Sequence, residues 1–180
     1  CEPGIVPRRN DQDHPERILR GAAPPALASL DYRLAWFRRL GFPHALVLRF
    51  DKRLAATPAS EFVREILVKA LNVRVVVLGT RARFGRGAKG DVGLLRRLGR
   101  GHGFAIQGVA PVRIAGKVAS STAVRRAVAK GDLGAAQAML GRPFSLSAPV
   151  VPGAGIGRTL GLPTANLAVG DLLRPPPGVY

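Results

Sequence analysis

Two short runs in this sequence carry residue types suited to phosphate chemistry. The first is Ser120-Ser121-Thr122-Ala123-Val124-Arg125, placed where a helix is expected to open. A helix's first turn presents unpaired N–H groups and a partial positive charge, so it suits an anion. The hydroxyls of Ser121 and Thr122 can add donors, and Arg125, one turn on, can reach the same phosphate through a two-pronged hydrogen bond. Helix capping alone would account for the serines equally well. The second run is Gly155-Ile156-Gly157-Arg158-Thr159-Leu160-Gly161-Leu162-Pro163-Thr164-Ala165-Asn166. Its glycines, Gly157 and Gly161 among them, free the backbone for close approach to a phosphate. Pro163 stiffens the turn, and Thr164 and Asn166 offer oxygens that a hard cation such as Mg²⁺ accepts. The glycines by themselves also fit a plain hairpin. Neither run supplies an evident catalytic acid, base or nucleophile.

The elements that must hold these runs alternate along the chain. Residues 1–29 are rich in Pro and charge and show no sustained period, so they read as loop. Asp31 is placed to cap a helix through Leu40, with Gly41 ending it. His44 to Phe50 reads as a short apolar strand. Thr57 and Pro58 suit the N-cap and first position of a helix whose apolar positions are Phe62, Val63, Ile66, Leu67, Ala70 and Leu71. Val73 to Leu78 is a β-branched run typical of a parallel strand buried on both faces. Asp91 is placed to cap a helix through Leu98, and Phe104 to Val109 gives another strand. Ser121 to Lys130 and Asp132 to Leu140 read as two short helices, divided by Gly131 and closed by Gly141. Helix and strand in alternation predict a doubly wound α/β sheet. After Gly141-Arg142-Pro143 the character changes to short β segments with Gly and Pro turns, which places a domain boundary near residue 142.

Composition narrows the function classes. The net charge of +17 is carried by 23 Arg against 5 Lys. Residues 1–141 hold 25 basic and 10 acidic side chains, and the remainder 3 and 1. Codon usage in a G+C-rich genome produces such an arginine bias; a polyanionic partner such as nucleic acid is the other reading. Arg81, Arg83, Arg86 and Lys89 form a basic loop, which Arg96, Arg97 and Arg100 extend onto a helix, although Phe84 is the only aromatic among them. With Cys1 the only cysteine, an intrachain disulfide and a Cys-rich metal site are excluded. No window approaches the roughly 20 apolar residues that cross a bilayer. His14, His44 and His102 are isolated and read as surface or loop residues.

Ser-Ser-Thr-x-Val-Arg at 120–125 resembles the second signature of the cytidylyltransferase-like nucleotidyltransferases. Followed by Leu140-Gly141-Arg142-Pro143-Phe144-Ser145-Leu146 and the Pro-Thr-Ala-Asn loop, it resembles the bacterial bifunctional riboflavin kinase/FAD synthetase family. Asp51, Glu61-Phe62-Val63, Phe84-Gly85-Arg86-Gly87 and Gly90-Asp91 fall in that family's order. The resemblance implies a Rossmann-like nucleotidyltransferase domain over residues 1–141 and the first strands of a β-barrel kinase module over 142–180. It implies a cytoplasmic enzyme of flavin cofactor biosynthesis, with riboflavin, FMN and ATP as substrates, FAD as product, and Mg²⁺. On that resemblance Ser120, Ser121, Thr122, Arg125, Gly157, Gly161 and Thr164 bind ATP or its phosphates, and Thr164 and Asn166 hold the metal.

The sequence departs from the family pattern in places. The family's His-x-Gly-His signature appears nowhere. Where the family shows an acidic-aromatic pair, Arg81-Ala82 stands; Leu162 replaces a Phe and Pro152 a His. The expectation is therefore a piece of the enzyme, without its first strand and inactive alone. Two further classes stay open: an inactive nucleotide- or flavin-binding remnant, and a basic nucleic-acid-binding protein.

Overall fold

In the computed structural model of the chain, five helices begin on a side-chain oxygen that accepts a backbone N–H from their own first turn. The residues described are 18, 21, 23–154, 156–159, 161–162 and 164–179. Helix α1 (Leu30–Arg39) is capped by Ser29, whose Oγ accepts from the Tyr32 N–H at 3.2 Å. Asp31 was the expected cap; it lies in the first turn instead, where its charge favours the helix N-terminus. Gly41 follows the helix with φ +81°, as a left-handed terminator should. Residues 44–50 form no strand, because no other described segment pairs with them. Asp51 caps a helix that the sequence pattern did not suggest, α2 (Lys52–Ala56), by accepting from the Leu54 N–H at 2.8 Å. Thr57 closes that helix, its hydroxyl donating to the Arg53 carbonyl, and does not open the next one.

Helix α3 (Ala59–Phe62) runs directly into a π-helical stretch, Val63–Ala70. The wider i→i+5 repeat changes which apolar residues point inward. Val63, Leu67 and Val68 join the core, whereas Ala70 and Leu71, expected on the buried face, are exposed. Strand β1 (Val75–Gly79) then pairs in parallel with β2 (Ala105–Val109), Val75 opposite Ala105 and Gly79 opposite Val109. Between them lies α4 (Val92–His102), capped by the Asp91 carboxylate on the Leu94 N–H at 2.8 Å. This helix runs one turn past the expected end at Leu98, and Gly103, at φ +75°, stops it. The π-helical stretch and α4 pack with Val76, Leu78 and Ile106 around Val63, Leu95 and Phe104. Burying each of those three contributes about 1.5–3 kcal/mol. The opposite sheet face, including Val75 and Val77, is open to solvent, so β1 is not buried on both sides as its composition suggested.

Two compact units result, one built on Val47–Pro111 and the other on Pro25–Leu46 with Val112–Tyr180. The second contains a hairpin of β3 (Arg113–Ile114) and β4 (Lys117–Val118), turned at Ala115 and Gly116, both with positive φ. Helices α5 (Ser121–Ala129) and α6 (Leu133–Leu140) follow, separated by Gly131 as expected. Their facing residues Val124, Ala127, Val128 and Ala136 form a core completed by Leu173. Backbone bonds fix that residue: Leu173 N–H donates to the Ala26 carbonyl at 2.8 Å, and Ala26 N–H to the Asp171 carbonyl at 3.1 Å. Two short strands, β5 (Val150–Val151) and β6 (Asn166–Leu167), pair antiparallel with the four-residue helix α7 (Ile156–Thr159) between them. The architecture is thus mixed α/β with a parallel sheet.

Candidate functional site

The opening of α5 divides its polar groups between structure and solvent. Ser120 Oγ accepts from the Ala123 N–H at 3.2 Å, and the Val124 N–H donates to the Ser120 carbonyl at 2.9 Å. The N–H groups of Ser121 and Thr122 make no hydrogen bond among the described residues, and both side chains are exposed. Those two donors are what a helix N-terminus offers an anion. Ser120 is accordingly the cap, and the cap leaves Ser121 and Thr122 unused.

Arg125 lies four residues after Ser121 and three after Thr122, so all three share one helical face. Its Nε donates to the Pro25 carbonyl at 2.9 Å. A guanidinium has five N–H donors in a rigid fork. The Pro25 bond uses one of them, at Nε, and orients the plane. Pro25 also lines an open cleft of about 550 Å³ with Leu172, Leu173, Arg174, Pro175 and Pro177. No periodicity could have shown that neighbourhood, since the Arg125–Pro25 bond spans 100 positions.

The glycine-rich run is built differently. Gly157 is at a close approach: a Cβ there would collide with the Leu162 carbonyl oxygen and lie 3.2 Å from Thr164 Oγ1. The Leu162 N–H donates to the Gly157 carbonyl at 2.7 Å, closing the turn. Gly161 has φ +71°, so both glycines are required by backbone geometry. Thr164 and Asn166 are exposed, and the Asn166 side-chain amide lies against Gly153. Gly155, Leu160 and Pro163 lie outside the described residues. No cluster of three His, Cys, Asp or Glu residues that could hold a metal ion occurs among those described. His44 and His102 are exposed, as expected, and His14 lies outside the described residues.

A third arrangement escaped the sequence reading. The Arg142 guanidinium sits 4.4 Å from the Trp36 ring centroid and 5.5 Å from that of Tyr32. Its Nη1 also donates to the Tyr32 hydroxyl at 3.2 Å. Arg39 stacks over the same Trp36 ring at 5.4 Å. Burial of Tyr32 raises its hydroxyl pKa, but Trp36, Ser145 and the cations Arg142 and Arg39 outweigh that and bring it below the usual value.

Residues 12–123 match the FAD synthetase family, and residues 140–180 match riboflavin kinase. The bifunctional riboflavin kinase/FMN adenylyltransferase of Escherichia coli strain K12 is 40% identical over 165 residues, which is 92% of this chain and 53% of that protein. The Pseudomonas fluorescens protein of the same description is 34% identical over 169 residues, 94% of this chain and 54% of the relative. A crystal structure described as a macrolide-efflux protein from Streptococcus pneumoniae superposes with a TM-score of 0.76 at 28% identity, over 90% of this chain and 53% of that one. The chain spans about half the length of the curated relatives it matches. No described helix is long and apolar enough to cross a membrane. Since the FAD synthetase match takes in more than half of the 180 residues, the chain belongs to the FAD synthetase family.

Proposed function

We propose that this chain serves an enzyme that adenylates FMN to FAD and phosphorylates riboflavin to FMN, in the cytoplasm, with ATP and Mg²⁺. Residues 1–141 would form the adenylyltransferase part, on a doubly wound nucleotidyltransferase sheet. Residues 142–180 would open the barrel-type kinase part. The observation that carries this reading is the start of α5, where two unpaired N–H groups and the Arg125 fork share one face within a chain of this family.

In adenylation, a phosphate oxygen of FMN attacks the α-phosphorus of ATP. The new P–O bond forms as the bond to pyrophosphate breaks, and no covalent enzyme intermediate is required. The protein's task is alignment and charge neutralisation. The Ser121 and Thr122 N–H groups with their hydroxyls would hold the phosphate chain, and Ser120 would keep that turn in shape. Arg125, with its plane set by Pro25, would spread charge over the same oxygens. For riboflavin phosphorylation, the backbone at Gly157 and Gly161 admits a nucleotide phosphate. Thr164 and Asn166 present the neutral oxygens a hard cation accepts alongside phosphate. When bound, Mg²⁺ would neutralise phosphate charge there.

ATP titration tests the α5 site without requiring turnover. Arg125→Ala removes a charged hydrogen bond, an expected loss of about 1.5–3 kcal/mol, or roughly 10- to 150-fold in affinity. Arg83→Ala, outside the site, should leave ATP affinity within twofold. ATP bound equally by wild type and a folded Arg125→Ala variant would remove this assignment.

A further inference from the structure

Tyr32, Trp36 and Arg39 recur at helical spacing along one face of α1. Tyr32 and Trp36 are half-buried, and their rings meet edge to face with centroids 6.3 Å apart. Arg142 completes the group, directly after Gly141, whose φ of +68° ends α6. The Arg142 and Arg39 guanidiniums both stand over the Trp36 ring, 4.4 and 5.4 Å from its centroid. All four residues belong to one compact unit. Like charges gathered on one ring repel, and neither arginine has a carboxylate partner among the described residues. By contrast, Arg64 and Lys69 share Glu65 at 2.7 and 3.0 Å. Asp31, the one acidic residue of α1, is not among the groups that act on the Tyr32 hydroxyl. Contact with the indole face attracts both cations but neutralises neither.

Hydrogen bonds fix this frame in advance. Arg142 Nη1 donates to the Tyr32 hydroxyl and to the Pro143 carbonyl, both at 3.2 Å. The Ser145 hydroxyl donates to the same Pro143 carbonyl at 3.3 Å. Those bonds use the Nη1 protons of Arg142. Its Nε and Nη2 protons, and every guanidinium proton of Arg39, make no hydrogen bond among the described residues. Burial raises the Tyr32 hydroxyl pKa, yet Trp36, Ser145, Arg142 and Arg39 together bring it below the usual value. Negative charge is therefore already favoured at that oxygen, where both cations act.

We propose that Arg39, Arg142, Tyr32 and Ser145 form a phosphoryl-binding site against α1, sharing no residue with the two runs assigned to phosphate above. Two guanidinium forks with unused protons, and two hydroxyls beside them, outnumber the two oxygens of a carboxylate. The three terminal oxygens of a phosphoryl group can take them up. Stacking on Trp36 holds the plane of Arg142, so less side-chain entropy is lost on binding than for a free arginine. An anion seated there neutralises charge that the fold leaves uncompensated, and it ties the segment after α6 to α1. Inorganic phosphate and a phosphate monoester share this chemistry. The proposal is independent of the flavin reading, and ATP binding at Arg125 can succeed or fail without touching it.

Trp36, the chain's only tryptophan, reports occupancy directly. Sodium phosphate titrated into the full chain, with chloride holding ionic strength constant, should change indole emission saturably. Arg142→Gln, which removes a half-buried charged donor, should weaken binding about tenfold. Arg39→Gln and Tyr32→Phe leave the Arg142 stack in place and should each weaken it about fivefold. Lys130→Gln removes one exposed charge elsewhere and should leave affinity within about twofold. Ionised Tyr32 competes with the anion, so wild-type affinity should fall as pH climbs towards about 10, while that of Tyr32→Phe stays level. Glycerol phosphate distinguishes the sources: tighter binding of the monoester identifies an esterified phosphate as the occupant, and tighter binding of inorganic phosphate the free ion. Emission that fails to saturate, or equal affinity in wild type, Arg39→Gln and Tyr32→Phe, would overturn the proposal. So would acetate binding as tightly as phosphate. Loss of the Trp36 response in Arg125→Ala would also overturn it, by placing the anion at the start of α5; a response that survives there while ATP binding is lost supports two separate sites.

Discussion

Two glycines in α4 should respond oppositely to the same substitution. In an exposed helix interior, Gly→Ala stabilises by about 0.8–1 kcal/mol, because glycine loses more backbone freedom on folding. Gly101 is exposed, and a Cβ there would meet nothing within 4 Å. Gly101→Ala should therefore stabilise by close to that full amount. Gly99 is buried where α4 crosses the start of β2. A Cβ there would lie 2.5 Å from the Phe104 carbonyl oxygen and 3.2 Å from its ring. The oxygen is backbone and anchored by the parallel pairing that begins at Ala105, so it cannot rotate away as a side chain could. Overpacking of this kind costs about 1–3 kcal/mol. Set against the same propensity gain, Gly99→Ala should destabilise by about 1 kcal/mol, roughly 2 kcal/mol below Gly101→Ala. Thermal melts followed by circular dichroism should separate the two variants by roughly 4–8 °C for a chain of this length. Equal stabilisation by both alanines would show that the close approach of α4 to Phe104 does not exist in solution, and the packing that positions the parallel sheet would need redrawing.

Arg142→Ala removes the cation stacked on Trp36, the chain's only tryptophan, so it should change indole emission; an unchanged spectrum would show that the stack does not form. In the wild type Tyr32 should ionise below the usual tyrosine range. A phenol whose folded pKa is depressed favours folding once pH rises above that value, so the Tyr32–Arg142 contact should strengthen as pH climbs towards 10, and Arg142→Ala should weaken the trend without removing what Trp36, Ser145 and Arg39 contribute. Limited proteolysis should cut first between residues 145 and 168, where Val150, Val151, Leu162 and Leu167 are exposed, while the Leu172–Leu173 segment stays protected by its Ala26 pairing. First cleavage at 171–174 would contradict that docking.

The elements legible in the sequence were those whose signals are local. Asp91, Asp132, Gly131 and Gly141 stop or start helices through atoms within four residues, so their positions followed from residue type alone. Where two neighbouring polar residues competed for one cap, type could not choose, and Ser29 prevailed over Asp31. The π-helical stretch was illegible because its apolar spacing satisfies an α-helical period. Only packing against Leu95 and Phe104 selects Val68 over Leu71. A strand needs a partner, and the apolar run at 44–50 finds none among the described residues.

The candidate site divides the same way. That residues 120–125 open a helix was readable, but which serine would be spent on the fold was not. Ser120 accepts the Ala123 N–H, which fixes its hydroxyl oxygen as the helix cap and leaves two bare N–H groups beside it. Likewise the pattern placed Arg125 one turn on, but nothing in it linked that guanidinium to a proline 100 residues earlier. That bond gives Arg125 more than position. A free arginine on a helix surface loses rotamer freedom when it grips a phosphate, a cost of up to about 1.5–2 kcal/mol. With Nε already bound to Pro25, part of that entropy is lost on folding, and the fork meets its ligand in place. If the α5 start holds a phosphate as proposed, its affinity should depend on a contact made by the segment before α1. Arg125→Lys, which keeps the charge but loses the fork, should recover little of the ATP binding lost in Arg125→Ala. Full recovery by lysine would mean that charge alone, and not the held plane of the guanidinium, makes the site.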